Sequence, residues 1–330
     1  MQLTALARRA RPDNFTLTLL ATIGVASLAP CRGRWAHGFD ILTDVAIALL
    51  FFLHGAKLSR QAVLAGATHW RLHLTVLSCT FALFPLLGVI GSPLAQLLLT
   101  PSLLAGFLFL CCVPSTVQSS IAFTSMAHGN VPAAVVSASI SSLVGLVLTP
   151  LLAGLLLSRQ GSISAQGAMD IVLQLLLPFT LGHLSRPWTG AFVERHRGLL
   201  KFSDNGTIVL VVYTAFSAAV VKGLWQHTPV SALLGVLVMA ALLLAAVMVI
   251  NLWASRRLGF DREDRIAIFF CGSKKSLASG IPIARVIFAG QAMGALVLPL
   301  MVFHMLQLMV CAVIAQRYAR QYSAGTVTKT

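Results

Sequence analysis

Charge is scarce in this sequence. Only 10% of the 330 residues are Asp, Glu, Lys or Arg, while 57% are hydrophobic and the mean hydropathy is +0.87. So few charged side chains cannot cover a soluble surface, which excludes a water-soluble globular protein and leaves an all-α polytopic membrane protein in a lipid bilayer. Acidic residues are the scarcer sign, 9 against 24 basic ones. The resulting formal net charge of +15 would point a soluble domain toward nucleic acid. Here the basic residues fall in short loops between apolar runs, a topogenic pattern that speaks for membrane orientation and against a nucleic-acid partner. Metal-type cysteine spacing is also missing. Cys31, Cys79, Cys111, Cys112, Cys271 and Cys311 lie mostly in apolar runs and read as small packing residues, so no cofactor is implied.

What is present is a series of apolar segments. Ten of them approach the roughly 20 residues a bilayer requires: 15–29, 39–55, 72–90, 102–126, 131–157, 169–184, 207–221, 230–253, 265–288 and 295–316, of which the first, second, sixth and seventh are short. Arg8, Arg9 and Arg11 ahead of the first segment, with Pro30-Cys31 behind it, resemble a signal peptide or lipoprotein box. Proline before the cysteine fits that pattern poorly. Lys57, Arg60, Arg71, Arg186, Arg195, Arg197, Lys201, Arg256, Arg257, Arg262, Arg265, Arg317, Arg320 and Lys329 fall on the same side as the N-terminal arginines, against Arg32, Arg34, Arg159 and Lys222 on the other. The positive-inside rule then makes both termini cytoplasmic, with a plasma membrane, bacterial inner membrane, as the location.

The halves echo one another. Asp13 and Pro30 bracket the first segment as Asp170 and Pro187 bracket the sixth, Asp44 and Asp204 stand at the next run, and Cys112 matches Cys271. Five segments per half is an odd number, so the second half enters the membrane from the opposite side. The expectation is two inverted five-helix repeats, residues 1–160 and 161–330, which also argues against cleavage near Cys31.

Two segments are interrupted by residues that sustain no good membrane helix. The ninth contains Cys271-Gly272-Ser273-Lys274-Lys275-Ser276-Leu277-Ala278-Ser279-Gly280-Ile281-Pro282. A lysine at the bilayer centre costs about 2.5–3.5 kcal/mol on insertion scales, so two of them call for a wet cavity or a partner. Irregular backbone at that depth survives only where protein or a cavity satisfies it. The fourth runs Cys112-Val113-Pro114-Ser115-Thr116-Val117-Gln118-Ser119-Ser120, in which the proline frees a carbonyl and hydroxyls and an amide follow it. A proline kink patched by serines is the plainer reading of that run alone. Ser137 and Ser141 share a helical face, as do His304 and Gln307, and serve equally as interhelical contacts. Gln174 and the stripe of Tyr213, Thr214 and Ser217 read first as interhelical hydrogen bonds. Asp44 pairs with a buried lysine, relays protons or sits at the interface; Arg285 attracts an anion or snorkels to the headgroups. Lys275 and Ser279 have the spacing of a Ser-Lys hydrolase pair, but no oxyanion-hole signature accompanies them, so an enzyme is not expected.

The ten segments, the proline-started polar break and Gly-Ser-Lys-Lys-Ser-Leu-Ala-Ser-Gly-Ile-Pro together resemble the bile acid:sodium symporter superfamily, specifically its sodium-bile-acid-symporter-like subfamily. The resemblance implies a core domain of segments three to five and eight to ten, in which the discontinuous fourth and ninth helices cross, and a panel domain of segments one, two, six and seven. It also implies a small-molecule solute bound between them and exposed alternately to either side. Carried over, the sodium ligands of the better-known branch fall near Ser119, Ser120, Ser137 and Ser141, near Thr80, and within Ser273 to Ser279, including Ser276. The departures are serine for asparagine at Ser120, threonine for glutamine at Thr80, and lysines close to where that branch has a glutamate.

Two mechanisms follow. In one a lysine ammonium occupies the place of a sodium ion and transport is proton-coupled or uncoupled. In the other sodium binds the hydroxyls and carbonyls of the two breaks while Lys274 and Lys275 contact an anionic solute, a bile acid, steroid conjugate or small carboxylate. A regulator or scaffold that keeps the fold without transporting is the alternative. Oligomeric state is not written in the sequence.

Overall fold

Lipid offers a backbone no hydrogen-bond partner, so a chain this apolar has to close its own ladders. The computed structural model describes residues 14–57, 69–158, 165–288 and 293–327, and no strand occurs among them. The elements are α1 (Asn14–Leu28), α2 (Gly33–Lys57), α3 (Trp70–Ser78), a π-turn (Cys79–Leu83), α4 (Phe84–Leu98), α5 (Pro101–Cys112), α6 (Gln118–Met126), α7 (Val131–Ser158), α8 (Ala165–Arg195), α9 (Arg197–Val221), α10 (Leu224–His227), α11 (Val230–Arg257), α12 (Arg262–Gly272), α13 (Leu277–Ile287) and α14 (Met293–Val327).

Among the described residues, six helical stretches are long and apolar enough to cross a membrane: Gly33–Ala56, Trp70–Leu98 (α3 through α4), Val131–Leu157, Phe202–Val221, Val230–Arg257 and Met293–Tyr322. Several segments differ from expectation for identifiable reasons. The fourth and ninth are each divided into two short helices, α5/α6 and α12/α13. The sixth is not short: α8 runs through Pro187, so that proline does not end its segment as Pro30 follows the end of α1. The second and seventh also lengthen, to 25 residues each, because helix propensity persists into polar flanks where hydropathy has faded. Asp170 and Gln174 lie on α8, with side chains outside the described residues.

Small residues let these helices approach closely. A Cβ placed on Gly55 of α2 would stand 1.9 Å from the Phe179 carbonyl oxygen, and one on Gly182 of α8 1.9 Å from that of Phe52. The two glycines thus face each other's backbones across a reciprocal crossing. Helix α1 packs on α9, which also packs on α2, α13 and α14. Gly106 of α5 likewise touches the Leu296 backbone of α14, where an added Cβ would come within 2.2 Å of the carbonyl oxygen. Phe84 and Phe303 meet edge to face at 5.9 Å, as do Phe109 and Phe288 at 5.4 Å. The break residues of the two interrupted helices, from Cys111 to Thr116 and from Cys271 to Leu277, are all buried.

Candidate functional site

Helix α5 stops because Pro114 has no N–H and pushes the preceding residue out of helical geometry; Val113 adopts ψ 147°. Its last carbonyls then need other donors. Val113 N–H reaches the Leu110 carbonyl, Thr149 Oγ1 donates to that of Cys112, and Ser276 N–H donates to that of Pro114 at 2.7 Å. The carbonyls of Cys111 and Val113 are left, and both receive the Lys275 ammonium, at 2.8 and 2.7 Å.

A third carbonyl completes the cage. In an α-helix the Phe84 N–H would close on Thr80, but the π-turn shifts it to Cys79. In the shifted register Thr80 would need the N–H of residue 85, which is proline. Its carbonyl is therefore orphaned by the ladder, and Lys275 Nζ donates to it at 2.8 Å. Three N–H donors meet three carbonyl oxygens, with the Phe84 ring centroid 4.1 Å from the ammonium. Thr80 contributes by its main chain; its hydroxyl bonds back to Val76.

The second break is held as tightly. Gln307 of α14 grips the Lys275 main chain with both ends of its amide, accepting from the N–H at 2.8 Å and donating to the carbonyl at 2.8 Å, while His304 Nδ1 lies 3.3 Å from the same carbonyl. Ser276 caps α13, accepting from Ser279 N–H at 3.1 Å. Ser115 Oγ donates to the Cys271 carbonyl and Ser120 Oγ to that of Phe270 at 3.2 Å. The two breaks are thus stitched directly to each other. Gln307→Leu is expected to leave a buried N–H and carbonyl of Lys275 without their amide partner. That costs about 1–3 kcal/mol, read as a lower apparent melting temperature of the purified protein.

Lys274 differs from its neighbour. It is equally enclosed, 0% exposed, yet its Nζ has no hydrogen-bond partner. It lies over the ring of Phe123 at 4.0 Å and farther from that of Phe270, at 5.6 Å.

The remaining expected residues divide. Ser141 accepts from Ser115 N–H at 3.1 Å and so joins the break, whereas Ser137, one turn away, meets His73 Nδ1 at 2.7 Å. Thr116, Ser119 and Ser120 form a hydroxyl chain at 2.9 and 3.3 Å. Ser273 accepts from Asn251 Nδ2 at 2.9 Å. Gln118 is exposed and stands apart from these bonds. Thr214 faces Thr43 across α2 and α9, and Tyr213 donates to the Ala29 carbonyl, as interhelical roles require. Lys275 Nζ is committed to carbonyls and Ser279 Oγ accepts from Ser276 Oγ at 3.2 Å, so no Ser-Lys pair is assembled.

Several contributors are not singled out by the sequence, Thr149 at the Cys112 carbonyl among them. Asn251 and His73 are lone polar residues in apolar runs, which was the available signal. Asn130 Nδ2 donates to Asp264 at 2.7 Å, tying the start of α7 to the start of α12. Asp40 takes Arg285 Nη2 at 2.6 Å, while Asp44 lies 3.4 Å from Arg285 Nε, so the partner of Asp44 is an arginine rather than a lysine.

Comparison with known proteins decides what kind of molecule carries this site. The SBF-like CPA transporter family model matches residues 13–320. The chain belongs to that family. Among its relatives, an uncharacterized protein of Pseudomonas aeruginosa is 58% identical over 314 residues, 94% of each chain. The candidate symporter YfeH of Escherichia coli is 55% identical over 313 residues, 94% of this chain and 93% of its own. Sodium/bile acid cotransporter 7 of Mus musculus is 26% identical over 318 residues, 94% and 93% respectively. An SBF-like CPA transporter is an integral membrane protein, which agrees with the apolar helices, and a transporter family agrees with the non-enzymatic reading.

Proposed function

We propose that the protein is a secondary active transporter for an organic, anion-like solute, of bile acid, steroid-conjugate or small-carboxylate type, in which the Lys275 ammonium is a built-in substitute for a sodium ion. The observation that carries this reading is the cage of three carbonyl oxygens at 2.7–2.8 Å around Lys275 Nζ. Sodium in such a place would be held by the same oxygen atoms and would bring the same charge. Coupling then runs through protons or not at all, rather than through sodium.

The working architecture is a pair of inverted repeats divided near residue 160, with α5/α6 and α12/α13 crossing at their breaks. The like construction of the two breaks, each a short helix, an extended link and a second short helix, supports it. Helices α1, α2, α8 and α9 form the panel, against which the others rock in alternating access. Both termini face the cytoplasm of a bacterial inner membrane, by the distribution of Lys and Arg. Ser119, Ser120, Ser137 and Ser141 remain the sites for sodium in the rival mechanism.

Reconstituted uptake tests the reading across a panel of bile acids, steroid sulfates and small carboxylates, with the membrane potential clamped. Replacing sodium by a large organic cation is expected to leave uptake unchanged. Collapse of uptake on sodium removal would overturn the substitution. A cage with no vacancy also fits a scaffold that does not transport. A solute that raises the melting temperature of the purified protein and is carried by it decides against that alternative.

A further inference from the structure

Two adjacent lysines occupy one buried break, and their surroundings are opposite. Lys275 gives each of its three N–H bonds to a carbonyl. Lys274 has none to give them to. Helix α6 faces it with the Phe123 ring and α12 with the Phe270 ring. The titratable groups acting on it are the thiols of Cys271 on α12 and Cys311 on α14, both buried, while the neighbouring Lys275 ammonium is turned toward the first break. Ring faces offset only part of the hydration an ammonium loses on enclosure, so a charge there lacks most of its solvation.

We propose that Lys274 is the residue through which this transporter exchanges a proton with water, and that Lys275 keeps its charge throughout. In the enclosed arrangement Lys274 is an amine; when the helices around the breaks swing and admit water, the amine lone pair takes a proton from water or hydronium and becomes ammonium. Closing reverses the step, the N–H bond breaking and the proton leaving to water on the side then open. One proton is bound and one released per cycle. This deepens the preceding reading and rests on it for its role in transport, but its test needs no transport.

The experiment compares the full-length wild-type protein with Lys274→Met, in detergent, by apparent melting temperature from pH 6 to pH 9. If Lys274 is uncharged when folded and charged when unfolded, unfolding takes up a proton. Wild-type stability relative to the variant then rises with pH, by up to tenfold in the unfolding equilibrium per pH unit. The variant is expected to melt above wild type at pH 6, with the gap closing toward pH 9. A gap that does not change with pH means a constant charge at Lys274 and overturns the proposal. Lys274→Leu is the second variant, with the same readout. If neither apolar replacement folds, the amine holds a structural bond and the proposal also falls. Sodium-dependent uptake would instead refute the substitution at Lys275 and leave this result standing.

Discussion

Lys275→Met is expected to be the most damaging single substitution at the breaks. The methionine fills similar space, so the loss is not one of volume. It strands the carbonyls of Thr80, Cys111 and Val113, all enclosed and all receiving the ammonium. Leaving a buried polar group unsatisfied costs about 1–3 kcal/mol, and three at once approach the margin of a typical fold. The expected result is a protein that elutes in aggregates or melts far below the parent. Lys275→Arg should fare little better, since a planar guanidinium cannot point its donors at three converging oxygen atoms as an ammonium does. Lys275→Ala offers a sharper test of the substitution idea. It opens a small hollow lined by three carbonyls, and sodium at high concentration is expected to restore melting temperature to that variant but not to wild type. Equal indifference to sodium in both would show that the cage does not accept a metal cation.

The second large effect is expected where two helices touch backbone to backbone. Gly182→Val sets a branched side chain where even a Cβ would lie 1.9 Å from the Phe52 carbonyl oxygen, and main chain cannot rotate aside as a side chain can. Helices α2 and α8 must separate by more than an ångström, which undoes the reciprocal contact at Gly55. Overpacking of this sort typically costs about 1–3 kcal/mol, and more where the obstacle is rigid. Gly24→Ala on α1 is the control, because nothing lies within 4 Å of its added carbon. It should melt at or slightly above the parent. Similar melting temperatures for the two variants would mean that α2 and α8 do not meet as described.

Much of the candidate site is legible in the sequence. A Lys-Lys pair within an apolar run and a proline ahead of five polar residues mark interrupted helices by chemistry alone, and the breaks lie where expected. Ser115, Ser120, Ser141, Ser276, His304 and Gln307 all make bonds at them. The third carbonyl of the cage is harder to foresee. Thr80 enters through its carbonyl because Pro85 and the π-turn together orphan it, a register effect that no hydroxyl-bearing residue announces. Nor does Lys-Lys reveal which ammonium is caged, since direction in an irregular link follows from backbone torsions that tertiary contacts impose. Asp40 went unnoticed because its partner, Arg285, is 245 residues away. Pro187 misled for the opposite reason: proline ends a helix only when nothing nearby satisfies the freed carbonyl, and α8 continues through it.

The direct bonds between Pro114 and Ser276, Ser115 and Cys271, and Ser120 and Phe270 carry a mechanical consequence. Loose main chain beside a proline is ordinarily where a helix flexes. Here the two loose stretches are riveted to each other and to a shared cation, so bending either one drags its counterpart. The supple-looking centre is a braced joint, closer to a fixed axle than to a hinge, and any bending is expected in the ordinary helices around it.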